Sequence, residues 1–406
     1  MTGGTAGEDV AADVDAVVGD LLRRALDVAA WTVPALVVDV LGPALDARGL
    51  RLLLVDHELV ELHEVAAWPS GPQGRSRPVD GDREVEPAGW AFRRRAVVRD
   101  ARGCLHQPVH VRGHRLGVLV AEGPGEGAEG LLAAAAPAVA LLLRQAAGSS
   151  DLVEVRRRSH AFSIAAELQW DVLPPPGHRG PGVELAGLVE PAYLATSDLF
   201  DWAVDDDVAW LALLEASGEG LAAARAADLA LGALRHGRRS GSSLADQVAT
   251  ADDVLAREHR GGATVDAALV RLDLADGTAE VHVAGDAVVL HRREGDLGPL
   301  HVVAGPPLGA GEEDRAGREV ALTPGEELVL VSSGVLRALS PRGAAFGLAG
   351  VRAALDQAEE VLDAPRSVAR AVREHAGGQV ERDATSLVVR WSGPPAGAQA
   401  GRRPGA

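Results

Sequence analysis

Glu215-Ala216-Ser217-Gly218-Glu219-Gly220 is the stretch that decides the fold of the second half of this chain. Before it, residues 208–214 form an apolar run with the length of a buried strand, and after it residues 220–236 are alanine-rich with helical spacing. The stretch therefore predicts a strand, a turn with two glycines and a long helix. Because the turn contains an acidic residue and no lysine, it does not match a nucleotide-binding loop.

From residue 183 to residue 391 strand-like and helix-like segments alternate. The predicted strands cover residues 183–188, 208–214, 267–272, 279–284, 287–292, 319–322, 327–331 and 386–391, and the predicted helices cover 220–236, 243–259, 351–357 and 364–375. Many strands with few helices, two of them long, predict two antiparallel sheets flanked by helices. The expected fold class is α+β.

Five further short segments accompany the opening stretch. They are Leu168-Gln169-Trp170-Asp171-Val172-Leu173-Pro174, Thr196-Ser197-Asp198-Leu199-Phe200-Asp201-Trp202, Val283-Ala284-Gly285-Asp286, Ser332-Ser333-Gly334-Val335 and Arg382-Asp383-Ala384-Thr385. In order and spacing, the set resembles the SpoIIE-like and RsbU-like branch of the PPM-type (type 2C) serine/threonine protein phosphatases. The resemblance implies a PPM-type phosphatase-like β-sandwich over residues 178–391. It also implies action on phosphorylated anti-sigma-factor antagonists in bacterial partner switching.

The chemistry that this resemblance implies needs two divalent cations, usually manganese or magnesium, so that a bridging water attacks a phosphoserine in line. Such hard cations prefer anionic oxygen ligands, which the family supplies as aspartates. By the resemblance, Asp198 and Glu215 are the catalytic candidates, and Asp198, Glu215, Ala216 and Asp383 are the metal-binding candidates. Glu215 keeps the charge of the aspartate that it replaces but is one methylene longer.

Two of the expected ligands have lost their carboxylate. Ser333 stands where the family has an aspartate, and Arg382 brings a fixed positive charge to a position where a cation should bind. Two divalent cations carry four positive charges, so two aligned carboxylates beside a guanidinium disfavour their binding. We therefore expect a degenerate metal site with weak or no hydrolysis, and a manganese or magnesium cofactor only if the domain is active.

Other positions also depart from the family pattern. Thr196 and Ser197 replace two glycines before the first aspartate, and Glu219 and Asp286 replace two histidines. The two new carboxylates leave open a rearranged one-metal or two-metal site. Its candidate ligands would be Asp198, Glu215, Glu219, Asp286 and Asp383.

Three functions are compatible with this pattern. The first is a regulatory member of the phosphatase family that has lost efficient hydrolysis and keeps binding of a phosphorylated anti-sigma-factor antagonist-like protein. The second is an active phosphoserine phosphatase with a rearranged site. The third is a ligand sensor whose C-terminal domain is only structural. We favour the first, because framework segments are kept beside ligands that are lost.

The first half of the chain has a different pattern. Residues 14–45 show helical spacing, short strand-like runs follow at 50–55, 60–66, 96–98, 105–111 and 116–121, and a helix is predicted at 130–145. Gly89-Trp90-Ala91-Phe92-Arg93 and the hairpin-like residues 107–119 resemble GAF domains, which often bind a small ligand. The resemblance implies a GAF-like α+β sensor domain over residues 14–147, with a small ligand as a candidate partner.

Three histidines in this half, His106, His110 and His114, recur every four residues. On a helix this spacing would suit a metal, but the surrounding pattern predicts two strands, which would separate them. We expect no metal site there.

Residues 148–177 are expected to form a linker helix, with apolar residues at alternating spacings of three and four from 152 to 173. This pattern fits either a short coiled-coil seam or a helix that packs on the next domain, and Pro174-Pro175-Pro176 ends it. Residues 1–13 and 392–406 lack apolar periodicity and are expected to be disordered. We expect a homodimer.

The net charge of -18 over 406 residues argues against nucleic acid or an anionic membrane as a partner. The single cysteine cannot form an internal disulfide, which fits a reducing cytosol. The longest apolar run, residues 131–143, is too short to span a bilayer, and no secretory signal pattern is present. A cytoplasmic protein is expected.

Overall fold

The computed structural model describes residues 5–192, 198–259, 262–311 and 317–395. The chain divides into two units, Met1–Ala161 and Phe162–Ala406. Their boundary falls within residues 148–177, which were predicted to form one linker helix. Thr196, Ser197 and residues 396–406 of the predicted tail lie outside the described residues.

The N-terminal unit is built on one antiparallel sheet. Its helices are α1 (Thr5–Asp27), α2 (Val33–Ala44), α3 (Pro87–Arg94), α4 (Ala128–Ala147) and α5 (Leu152–Arg156), with a short 3-10 helix at Ala30–Thr32. Its strands are β1 (Gly49–Val55), β2 (Glu61–Trp68), β3 (Ser76–Pro78), β4 (Val98–Arg99), β5 (Leu105–Val111) and β6 (His114–Glu122). The strand order in the sheet is β3-β2-β1-β6-β5-β4.

Helices α1, α2 and α4 contribute to the main apolar core of this unit. Leu21, Leu41 and Leu132 of the helices share one buried cluster with Leu52 and Leu119 of the sheet. By length and composition α4 would be able to cross a membrane, but half of its apolar stretch is buried inside the protein. A core helix of a globular unit has the same properties.

Parts of this unit differ from the sequence prediction. Helix α1 begins at Thr5, inside the segment 1–13 that was predicted to be disordered. Val14, Val17 and Val18 of α1 pack against the core, and this anchoring allows the helix to continue towards the N-terminus. The histidines are separated as predicted, because His106 and His110 lie on β5 and His114 lies on β6.

His114 is buried and faces several arginines. Burial first, and then the charges of Arg157, Arg144 and Arg115, lower the pKa of His114 to about 3, whereas an imidazole in an unfolded chain titrates near pH 6.5. Below pH 6.5 the unfolded state therefore binds a proton that the folded state does not. We expect the free energy of unfolding to fall between about pH 6.5 and about pH 3, by up to ~1.4 kcal/mol per pH unit.

This expectation is checked by urea unfolding of the wild type and of His114→Leu near pH 7 and near pH 5. The variant should lose less stability than the wild type over this interval. Equal losses in the two proteins would contradict the assignment of the pH dependence to His114.

The predicted linker helix is two short helices in different units. Helix α5 belongs to the N-terminal unit, and α6 (Ile164–Val172) belongs to the C-terminal unit. Ser163 caps α6, because its side chain accepts a hydrogen bond from the backbone N–H of Ala166 at 3.2 Å. The prediction of one continuous helix was wrong, while its end before Pro174 is confirmed.

The C-terminal unit contains two antiparallel sheets. Its further helices are α7 (Gly220–Arg239), α8 (Leu244–His259), α9 (Ser333–Arg337), α10 (Gly347–Gln357) and α11 (Ala364–Ala376), with a 3-10 helix at Val361–Asp363. Its strands are β7 (Gly177–Gly180), β8 (Val183–Glu190), β9 (Asp198–Asp205), β10 (Val208–Ala216), β11 (Val265–Asp273), β12 (Thr278–Ala284), β13 (Val288–Arg293), β14 (Asp296–Pro299), β15 (Arg318–Ala321), β16 (Glu327–Val331) and β17 (Ala384–Trp391). The strand orders are β15-β12-β11-β10-β9 and β14-β13-β16-β17-β8-β7.

The two sheets pack face to face, with helices on both outer faces. Side chains of a strand alternate between its two faces, and in β10 Leu211 and Leu213 enter the core between the sheets, while Ala212 and Leu214 lie under α7 and α8. Helices α10 and α11 cover the other sheet in the same way. The predicted two-sheet sandwich flanked by helices is therefore observed. Its central strands β10, β16 and β17 are buried on both faces, which explains their continuous apolar runs.

Strand β9 was not among the predicted strands, although its first residue, Asp198, was a predicted site residue. Aspartates at Asp198, Asp201 and Asp205 interrupt the apolar run of this strand, so its sequence does not show a clear period. Asp201 is buried because it accepts hydrogen bonds from Arg235 and Arg238 of α7. Two arginines of α7 therefore supply the hydrogen bonds that the buried aspartate of this strand needs.

Candidate functional site

Three carboxylates lie side by side at one end of the five-stranded sheet. Strand β10 pairs Glu215 with Asp198 of β9 on one side and with Asp266 of β11 on the other. Phe200 and Leu213, each two positions away on the same strand, belong to the core between the sheets. Because side chains two positions apart share a face, the carboxylates also face the space between the sheets.

The opposite sheet supplies hydrogen bonds to the first of these carboxylates. The hydroxyl of Thr385, on β17, donates to Oδ2 of Asp198 at 2.8 Å. The strand end is itself fixed, because Thr385 N–H donates to Ser332 Oγ and Ser332 N–H donates to the Thr385 carbonyl, both at 3.0 Å. All three side chains are at most 1% exposed.

This environment changes the acidity of Asp198. Burial raises the pKa of the Asp198 carboxyl well above its usual range, and the charges of Glu215 and Asp383 raise it further. The hydrogen bond from Thr385 acts in the opposite direction, because it stabilises the charged form. Burial and the two neighbouring carboxylates together favour the neutral form of Asp198.

Glu215 is held by a single residue. Ser333, the first residue of α9, donates its backbone N–H to Oε2 of Glu215 at 2.8 Å and its hydroxyl to Oε1 at 2.5 Å. Glu215 is 9% exposed and Ser333 is 5% exposed. Both oxygens of the carboxylate therefore accept hydrogen bonds from the protein.

Asp383 is buried, and both of its carboxylate oxygens accept hydrogen bonds. Its Oδ1 accepts the backbone N–H of Ala192 at 2.8 Å, and its Oδ2 accepts Nε2 of Gln169 at 2.8 Å. Gln169 Nε2 also donates to the carbonyl oxygen of Asp198 at 2.7 Å. Gln169 of α6, whose segment was part of the sequence pattern, thus joins Asp383 to β9.

A cleft of about 280 Å³ opens beside these groups. Its lining residues are Asp198, Glu215, Ala216, Ser217, Gly218, Glu219, Asp266, Ser333, Arg337 and Arg382. The structure thus brings together six of the predicted site residues, including both residues that replace expected ligands. It does not bring in the predicted ligand Asp383 or the substituted position Asp286.

The predicted site residue Asp286 instead faces an arginine outside the sequence pattern. Arg337 of α9 donates to Oδ2 of Asp286 at 2.6 Å, and this hydrogen bond and the charge of Asp286 raise the pKa of Arg337. The two side chains are 65% and 60% exposed. An exposed pair of this kind contributes little to stability.

Asp266 is a carboxylate of the cleft that sequence analysis missed. Burial raises its pKa, as do the charges of Glu215 and Asp286, while a hydrogen bond from the Asp286 backbone lowers it. Gly285 permits this approach, since a Cβ atom there would lie 1.9 Å from Oδ1 of Asp266. The sequence showed only an acidic residue just before a predicted strand. It did not show the strand register that places this residue beside Glu215.

The donor groups as arranged do not fit a centre for two divalent cations. Within the described ranges, no group of three or more His, Cys, Asp or Glu side chains is arranged to hold a metal ion. Both oxygens of Glu215 and of Asp383 accept protein hydrogen bonds, and Arg382 lines the cleft. A two-cation centre would instead need several carboxylates with free oxygens.

The C-terminal unit is thus a two-sheet sandwich with outer helices and a group of carboxylates at one end. Residues 205–392 match the model of the Stage II sporulation protein E (SpoIIE) family. The match covers a little under half of the chain. No curated protein matches the chain.

Several solved structures are similar to about half of this chain. The PP2C phosphatase domain with a regulatory fragment of the cell fate determinant SpoIIE from Bacillus subtilis is 18% identical with a TM-score of 0.47, over 52% of this chain and 64% of that one. The RsbU and RsbW domains of Rv1364c from Mycobacterium tuberculosis are 18% identical with a TM-score of 0.47, over 53% and 61%. The catalytic domain of the phosphatase PstP in complex with 2 manganese ions is 16% identical with a TM-score of 0.40, over 51% and 97%. The chain spans less than two thirds of the first two structures.

The bridging role of Gln169 leads to a stability prediction. Gln169→Leu removes the donor to Asp383 and to the Asp198 carbonyl and leaves buried acceptors without it, so we expect a loss of about 1–3 kcal/mol in the free energy of unfolding. Urea unfolding measures this loss. The matched control is Gln357→Leu, whose exposed side chain accepts from Arg370. Equal stability of the two variants would contradict the bridge.

Proposed function

We propose that the C-terminal domain is a SpoIIE/RsbU-like regulator in bacterial signalling, which binds a phosphorylated protein of the anti-sigma-factor antagonist type and hydrolyses it weakly or not at all. The observation that carries this proposal is the contact of Ser333 with both oxygens of Glu215. In the family pattern a carboxylate at position 215 bridges two cations. A carboxylate whose two oxygens both accept protein hydrogen bonds has fewer lone pairs left for cations.

The charges of the cleft support the same conclusion. Arg337 and Arg382 line the space in which an active centre would hold four positive charges. Guanidinium groups repel divalent cations at short range. They also form strong paired hydrogen bonds with phosphate. A phosphoryl group carried by a partner is therefore a better match for these two side chains than a pair of metal ions.

We expect this domain to bind a phosphorylated partner without releasing its phosphate. In the presence of manganese, we expect release from a phosphoserine protein and from p-nitrophenyl phosphate to be no faster for the wild type than for Asp198→Asn, because no metal-activated water forms. Titration calorimetry should show tighter binding of the phosphorylated than of the unphosphorylated antagonist. Arg382→Gln should weaken the binding of the phosphorylated form about tenfold.

The control for this experiment is Arg342→Gln, since Arg342 is exposed in the same unit and is not a lining residue of the cleft. Its affinity should equal that of the wild type. Equal affinity for the two forms of the antagonist would refute phosphoprotein recognition. Manganese-dependent turnover that Asp198→Asn abolishes would refute the loss of hydrolysis.

One observation favours an active, rearranged site as the second candidate function. Asp266 and Glu219 add two carboxylates to the cleft beside Glu215. Of the other rearranged ligands, Asp286 faces Arg337 and Asp383 is buried under its hydrogen bonds. Under this alternative, Asp266→Asn would abolish manganese-dependent phosphate release. Under the first proposal, the same substitution has no effect on phosphate release.

The N-terminal unit is, in this proposal, the input domain, with a GAF-like sensor role and a small ligand. We also infer that the chain forms a homodimer through α1 and the residues after it. Leu26 is 84% exposed and Trp31 is 61% exposed, and Leu22 lies one turn before Leu26 on the same face of the helix. Exposed apolar groups of this kind mark interaction surfaces.

Sedimentation velocity tests the dimer. We expect a mass twice the 41.9 kDa of one chain, and Leu26→Glu should shift the protein to the monomer because a charge is unfavourable in an apolar contact. Val303→Glu, at a position 81% exposed in the C-terminal unit, serves as the control and should stay dimeric. A wild-type monomer would exclude this arrangement.

A further inference from the structure

The contact between Ser333 and Glu215 joins the two sheets of the C-terminal unit. Glu215 lies on β10 of the five-stranded sheet, while Ser333 follows β16 of the six-stranded sheet. The two residues are 118 positions apart in the chain. Their hydrogen bonds at 2.8 Å and 2.5 Å therefore connect two layers that also share an apolar core.

A buried carboxylate at this position requires compensation. Glu215 is 9% exposed, and its neighbours in register on both sides are Asp198 and Asp266. Like charges directly opposite each other on adjacent strands repel, and a buried charge without partners is strongly unfavourable. Some group must therefore supply positive charge or hydrogen-bond donors to Glu215.

Two kinds of group can do this. In a binuclear phosphatase centre, divalent cations bridge the carboxylates. Here Ser333 supplies two donors from one residue, and hydrogen bonds to a charged acceptor are stronger than those between neutral groups. The Thr385 hydroxyl does the same for Asp198 from the same opposite sheet. The acidic end of the sandwich thus has its partners within the protein.

We propose that Ser333 replaces a cation: it fixes Glu215 across the two sheets, so that this end of the sandwich is stable without divalent metal, and the residue at position 333 decides whether metal is required. An aspartate at this position would face Glu215 as a like charge. The two carboxylates would then repel until a divalent cation bound between them. This inference concerns folding, and it stands whether or not the domain recognises a phosphorylated partner.

Thermal unfolding of the full chain, by calorimetry in EDTA and in manganese, tests the proposal. The wild type should unfold at the same temperature in both solutions. Ser333→Ala should lower the midpoint of the C-terminal unit by roughly 3–10 °C in both, because two donors become one. The midpoint of Ser333→Asp should be lower than that of the wild type in EDTA. Manganese should restore at least half of this difference. Ser392→Asp, with the same change at an exposed serine of this unit, should behave as the wild type.

Each result has a defined meaning. A wild-type midpoint that rises with manganese, or a Ser333→Ala midpoint equal to that of the wild type, would overturn the proposal. A folded Ser333→Asp variant with no response to manganese would overturn the role of position 333 as the determinant. Failure of the antagonist to bind the wild type would affect only the proposed function, since these midpoints do not depend on a partner.

Discussion

A cluster of carboxyl groups at one end of the sandwich is the constraint on which the rest of the C-terminal unit depends. Strand register brings Asp198, Glu215 and Asp266 together, and their face of the sheet directs them to the space between the layers. Their hydrogen-bond donors come from elsewhere in the chain. The start of α9 supplies two to Glu215 and the start of β17 supplies one to Asp198, so the positions of these two elements are set by the same electrostatic requirement.

A PPM-type phosphatase meets this requirement with cations, and the same cations perform the chemistry. Under the proposed function, hydroxyl and backbone N–H groups take that place in this chain, and such groups do not activate a water for attack on phosphorus as a cation would. The two arginines at the cleft also disfavour cation binding, because they provide positive charge that is fixed to the protein. In this proposal the fold stays intact without the cations that the reaction would need.

Much of the fold was predictable from sequence, because strands and helices buried on one or both faces leave a strong apolar pattern. Strand β16 covers the predicted residues 327–331, and α7 begins at the predicted Gly220. The single linker helix was mispredicted because helical spacing continues through a break that Ser163 creates as a cap. Local periodicity does not show where one unit ends and the next begins.

The site was only partly predictable, for a different reason. Motif order indicated Asp198, Glu215, Ser333 and Arg382, and the structure places all four at one cleft. Asp266 and Arg337 were missed, because the first depends on strand register and the second on the direction of a five-residue helix. Such properties arise only after folding.

The position of Asp383 has a consequence for interpreting related sequences. Its carboxylate holds the Ala192 backbone and the Gln169 side chain, so natural selection for a folded protein would preserve this aspartate after every trace of enzymatic turnover had disappeared. An inherited acidic residue at this place is therefore no diagnostic of a working phosphatase. Positions 333 and 382, which line the cleft and carry no carboxylate here, are a better guide to catalysis than Asp383.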